Sequence, residues 1–116
     1  MPVIDLHASV AIPEGARVAL KSEFGRAIEA IPGKSEGWLM CLFEEGVPIY
    51  LGGDDSAPSA FLDVSSYARE EVPAGAWERL TALLTDAVVR ELGVPAERVY
   101  IRYATTRHFG WNGSNL

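Results

Sequence analysis

The 116-residue sequence predicts an α+β fold, a βαβ repeat. Two pseudo-symmetric β-α-β units form a four-stranded mixed sheet with two helices on one face. Three observations carry the prediction. Ile12-Pro13-Glu14-Gly15-Ala16 is echoed by Val72-Pro73-Ala74-Gly75-Ala76, and the same offset pairs Leu20 with Leu80, Ala27 with Ala87, Ile28 with Val88 and Gly33 with Gly93. Each copy carries apolar residues at helical spacing. Each helix is bracketed by short apolar runs of strand length. The whole chain, 1–116, reads as a single domain with repeats at about 2–57 and 58–116.

In chain order, PVIDLHA is the first strand. The first helix presents Leu20, Phe24, Ala27, Ile28 and Ile31 on one face, with Lys21, Glu23, Arg26 and Glu29 mostly on the other. Pro13 suits its first turn, where a missing N–H is no loss, and Gly33 suits its C-terminal cap. GWLMCLFEE is the next strand, and VPIYL is a short extra one joined through Glu44-Glu45-Gly46. PSAFLDVSS leads into the second helix, striped by Trp77, Leu80, Leu84, Ala87, Val88 and Leu92, with Pro73 and Gly93 at its ends. RVYIRYA closes the second unit. Strand–helix–strand units favour parallel pairing with a right-handed crossover. Helices on one face leave the other bare. The strand holding Leu39, Cys41 and Phe43 is apolar on both sides, so the bare face calls for a cover, most economically another copy of the chain.

Apolar residues make up 48% of the chain and charged residues 22%, an ordinary globular balance. A formal charge of −6 without a Lys/Arg run argues against nucleic acid and anionic membrane as partners. No stretch has transmembrane length and no signal-peptide pattern opens the chain, so a cytoplasmic location is expected. The lone Cys41 reads as a small core residue. His7 and His108 read as structural or surface residues, and Asp54-Asp55 after Gly52-Gly53 reads as a turn, so no metal is expected.

Pro2 after Met1, Gly33-Lys34, Gly52-Gly53, Pro58-Ser59-Ala60, Arg98-Val99-Tyr100-Ile101 and Gly110-Trp111-Asn112 follow one another in an order that resembles the macrophage migration inhibitory factor family of the tautomerase superfamily. The resemblance runs nearly end to end. It implies a homotrimer with sites at subunit interfaces, no cofactor, and keto–enol tautomerisation of phenylpyruvate-like 2-oxo acids. It implies that Met1 is removed and that Pro2 becomes the general base, through a secondary amine kept neutral near pH 7. Lys34 matches the lysine that meets the substrate carboxylate. Tyr67 matches the position whose backbone N–H does the same, although relatives often carry a smaller aliphatic residue there. Tyr100 matches a tyrosine that enters the neighbouring subunit's pocket, and Phe109 and Trp111 match pocket walls.

Arg102 departs from the family, whose best-known members carry asparagine. Its cation could lower the Pro2 pKa, hold a second carboxylate, or serve an interface salt bridge. The family's CxxC is also absent, since Ser59-Ala60-Phe61-Leu62 stands there, so thiol–disulfide chemistry is not expected. Two alternatives stand beside the tautomerase. One is a cytokine-like binding module with residual activity; receptor binding and non-classical secretion come with the resemblance alone. The other is a hydratase or dehalogenase that uses the same proline, for which Arg102 gives a foothold.

Overall fold

The computed structural model describes residues 1–116. Strand β1 (Pro2–Ala8) leads to helix α1 (Glu14–Ala27), which tightens into a 3₁₀ turn over Ile28–Ala30. A second 3₁₀ turn, Glu36–Trp38, precedes β2 (Met40–Glu44). Strand β3 (Ala60–Tyr67), helix α2 (Ala74–Leu92) and β4 (Val99–Thr106) form the second unit. The sheet order is β2-β1-β3-β4. Each unit pairs its own two strands in parallel, and β1 and β3 join the units antiparallel, with Pro2 opposite Ser66 and Ala8 opposite Ala60. This is the expected four-stranded mixed sheet.

Alternation along the strands decides the two faces. Ile4, Leu6, Leu62 and Val64 are fully buried and meet Leu20, Phe24, Leu80 and Leu84 from the two helices in one core. The opposite face carries Met40, Leu42, Tyr100 and Arg102, all exposed, and a row of charge across the strands. His7 Nε2 lies 3.1 Å from Asp5 and His7 Nδ1 3.0 Å from Glu44. No helix is long and apolar enough to cross a membrane.

Several elements differ from expectation. VPIYL forms no strand. The Gly46 and Val47 N–H groups are already spent on the carbonyls of Val10 and Ala8, Pro48 has no N–H, and Leu51 only bridges Asp54 around the Gly52-Gly53 turn. Gly37 and Trp38 belong to a 3₁₀ turn, and the strand after them starts at Met40. Pro13 and Pro73 stand just before the first helical residues, as caps. Gly93 caps α2 in the left-handed conformation (φ 69°), with its N–H on Val89 O. Gly33 also has positive φ (79°) but does not end α1. Pro32 forces Ile31 into an extended conformation (φ −86°, ψ 121°), so the helical path stops earlier. A C-terminal hairpin, β5 (Gly110–Trp111) with β6 (Ser114–Asn115), was not expected. Asn112-Gly113, both at positive φ, is its two-residue turn.

Candidate active site

The parallel and antiparallel registers bring the start of β1, the end of β3 and the turn after α1 to one end of the sheet. Pro2 is buried there. Pro32-Gly33 turns the chain so that Lys34 N–H returns to Ile31 O, and the Lys34 side chain reaches across to β3. Lys34 Nζ donates to the carbonyl of Tyr67 at 2.8 Å. Tyr67 N–H in turn donates to the carbonyl of Met1 at 3.2 Å. One strand end therefore presents its carbonyl to the lysine and its N–H to the residue preceding Pro2. Three residues far apart in sequence converge.

The electrostatics follow from this geometry. The Met1 amine is held below the ordinary α-amino value, first by burial, then by the Lys34 charge and its hydrogen bond. Burial also governs Cys41, whose thiol is pushed up to about 11, which makes it an inert core-side residue. Asp54 accepts from the Ser56 N–H and hydroxyl and shares Arg98 with the loop backbone, which is the work of a turn.

The remaining sequence-derived candidates separate into two groups. Phe109 and Trp111 lie on the C-terminal segment that follows β4. Phe109 O accepts from Leu116 N–H at 2.9 Å, and Trp111 meets Trp38 edge to face, with ring centroids 5.5 Å apart. Tyr100 and Arg102 lie elsewhere. Tyr100 is paired with Phe61, toward the end of the sheet opposite Pro2, and is 58% exposed on the bare face. Within one chain it does not meet the Pro2 cluster. Arg102 faces Asp63 across the β3–β4 ladder and donates to both carboxylate oxygens, at 3.3 and 2.6 Å. Its fork is thus filled from within the chain, and the cation also stands 5.7 Å from the Phe61 ring.

Two residues that contact sequence-derived candidates are not indicated by the sequence. The apolar pattern assigns Trp38 to a strand, yet it forms an aromatic pair with Trp111 and is 55% exposed. Its closeness to Lys34 along the chain was the available signal. Arg69 donates from Nε to the Tyr67 hydroxyl at 2.8 Å. An open groove of about 370 Å³ is lined by Lys34, Ala68 and Arg69, and by neither Pro2 nor Tyr67. A recess of about 490 Å³ between α1 and β2 includes none of Pro2, Lys34 and Tyr67.

No family model matches the chain. The crystal structure of MIF2 from Leishmania major superposes with a TM-score of 0.90 at 33% identity, covering 100% of this chain and 97% of that one. A macrophage migration inhibitory factor homologue from Prochlorococcus marinus gives a TM-score of 0.81 at 27% identity, covering 97% of each. Among curated proteins, macrophage migration inhibitory factor from Xenopus laevis is 36% identical over 66 residues, 55% of this chain. That match spans 56% of the curated relative's length.

Proposed function

The chain belongs to the macrophage migration inhibitory factor family, and from that premise we propose that it is a cofactor-independent keto–enol tautomerase of phenylpyruvate-like 2-oxo acids. The observation that carries the reading is the convergence of Lys34 and the Tyr67 backbone on the start of β1. With Met1 in place, the Pro2 nitrogen is an amide and the Tyr67 N–H is occupied by the Met1 carbonyl. Removal of Met1 takes that carbonyl away. One cleavage then both creates the secondary amine and frees the N–H that, with Lys34, would receive a substrate carboxylate.

The proton inventory is simple. Pro2, as the neutral amine, takes a proton from the carbon beside the 2-oxo group. The electron pair moves into the carbonyl, and the proton returns to oxygen as the enol forms. The cycle is reversible and needs no redox partner. Burial and the Lys34 charge hold the Met1 amine below its ordinary value; the Pro2 amine, one residue on at the same end of the sheet, would meet the same cation and stay a neutral base near neutrality. The bare face, with Met40, Leu42 and Tyr100 exposed, supports assembly as a homotrimer in which Tyr100 of one copy serves another copy's pocket. Arg102 does not support the hydratase or dehalogenase alternative, because Asp63 already takes its fork.

The test starts with a mass spectrum, which should show the chain without Met1. Phenylpyruvate tautomerisation is then measured for wild type and Pro2→Gly. The variant keeps a free amine but loses the secondary, ring-held base, and kcat/KM should fall roughly a hundredfold or more, the scale of a general base. Sedimentation of both proteins should give three times the chain mass. Equal turnover by the two would sink Pro2 as the base.

A further inference from the structure

The reading above uses Lys34 and the backbone of Tyr67. It leaves the Tyr67 side chain and Arg69 without a role. Tyr67 is held from two ends: Lys34 donates to its carbonyl and stands 6.0 Å from its ring centroid, while Arg69 donates to its hydroxyl. Neither cation has a carboxylate within ion-pair distance, whereas Arg90, Arg98 and Arg102 each do. Glu70 and Glu71 line the same groove without pairing with either cation. Ala68 and Val72 give the groove apolar wall between the charged groups.

The hydrogen-bond inventory decides what this arrangement accepts. Arg69 spends its Nε–H on the phenol, which leaves the terminal N–H groups of the guanidinium free. The phenol oxygen accepts from Arg69, so its own proton remains to be donated. A planar cation and a hydroxyl donor side by side suit a carboxylate. Sequence reasoning offered Arg102 for such a group, but Asp63 fills it.

We propose that Arg69 and the Tyr67 hydroxyl form a second anion subsite beside Lys34, which selects 2-oxo acids carrying a further carboxylate at the end remote from the 2-oxo group. Lys34 holds the carboxylate next to the reacting carbon, and Arg69 receives the far one. This specificity rests on the tautomerase reading for the identity of the near group. The tyrosine that departs from the family's smaller aliphatic residue is then the residue that positions the second cation.

Two measurements test it. In the first, kcat and KM are compared for phenylpyruvate and 4-carboxyphenylpyruvate in wild type, Arg69→Gln, Arg69→Lys and Tyr67→Phe. Arg69→Gln should raise KM for the carboxylated substrate roughly ten- to a hundredfold relative to phenylpyruvate, the worth of a charge-assisted hydrogen-bonded pair. Arg69→Lys should restore part of that preference and Tyr67→Phe should lose part of it. In the second, calorimetry follows binding of cinnamate and 4-carboxycinnamate, which do not react. Loss of affinity for 4-carboxycinnamate alone in Arg69→Gln supports the subsite even if wild type turns over neither 2-oxo acid, in which case the tautomerase reading falls by itself. Equal effects on both ligands, or none on either, overturn the subsite.

Discussion

The two repeats have nearly the same sequence pattern up to the ends of their helices, and then they part. Leu20 and Leu80, Phe24 and Leu84, Ile28 and Val88 occupy matching places and all are fully buried. After that, the first repeat has Pro32 where the second has Leu92. Proline stops α1 early and sends the chain through a 3₁₀ turn, so Lys34 emerges half-buried toward β3. Leucine lets α2 run on to a glycine cap, and Val94, the counterpart of Lys34, is fully buried in the core. The entry strands differ too: β1 starts at Pro2, directly after Met1, while β3 is entered from Ser59. A duplicated unit thus places a half-buried lysine beside β3 in one copy and a core valine in the other through a few residues at its ends.

The comparison breaks most violently if the second repeat is given the first one's lysine. Val94→Lys would bury an ammonium with no partner, and should cost about 3 kcal/mol or more of stability. A urea melt reads this as a lower midpoint, or as a chain that does not fold. A shift of only a few tenths would mean that position 94 is as open as position 34.

Removing the lysine from the first repeat sharpens the contrast without touching the core. Lys34→Ala should raise KM for phenylpyruvate roughly tenfold or more, as a charge-assisted contact is lost. It should also move the pH profile. On the tautomerase proposal a neutral Pro2 amine is the active form, so kcat/KM should rise as pH rises through the amine's pKa. Lys34 helps hold the Met1 amine below its ordinary value, and the same cation would act on the Pro2 amine once Met1 is gone. Without Lys34 the pKa climbs and the rising limb shifts to more alkaline pH. A raised KM with an unmoved limb would separate carboxylate binding from control of the base.

The smallest effects come from the paired glycines. Gly33 and Gly93 both have positive φ, and a Cβ added to either meets no atom within 4 Å. Alanine at each should therefore cost about 1 kcal/mol, from backbone strain alone. Only Gly33→Ala should also raise KM, because Lys34 leaves the chain directly after it. Equal kinetics for both variants would mean that the turn does not aim the lysine.

Local pattern made the strands and helices readable: alternation in PVIDLHA, the helical stripes, and prolines before each helix. It overreached at VPIYL, where apolar β-formers suggest a strand but Pro48 and the already paired N–H groups of Gly46 and Val47 forbid a ladder. It passed over Asn112-Gly113, a legible hairpin signal, because the flanking strands are only two residues each. Within the site, the family motifs drew attention to Pro2, Lys34 and Tyr67. Nothing in the motif order indicated Arg69 or Trp38.

By itself the sequence determined the repeat, the helix faces and the mixed sheet, because these follow from periodicity and steric rules that act within a few residues. Tertiary structure alone decided which polar groups meet. Lys34 finds the Tyr67 carbonyl 33 residues away, Arg69 takes the Tyr67 phenol, and Arg102 is claimed by Asp63 rather than left free. Such partners are fixed by strand register and by the direction of a turn, so the same side chain is a binding group on one register and a closed ion pair on another.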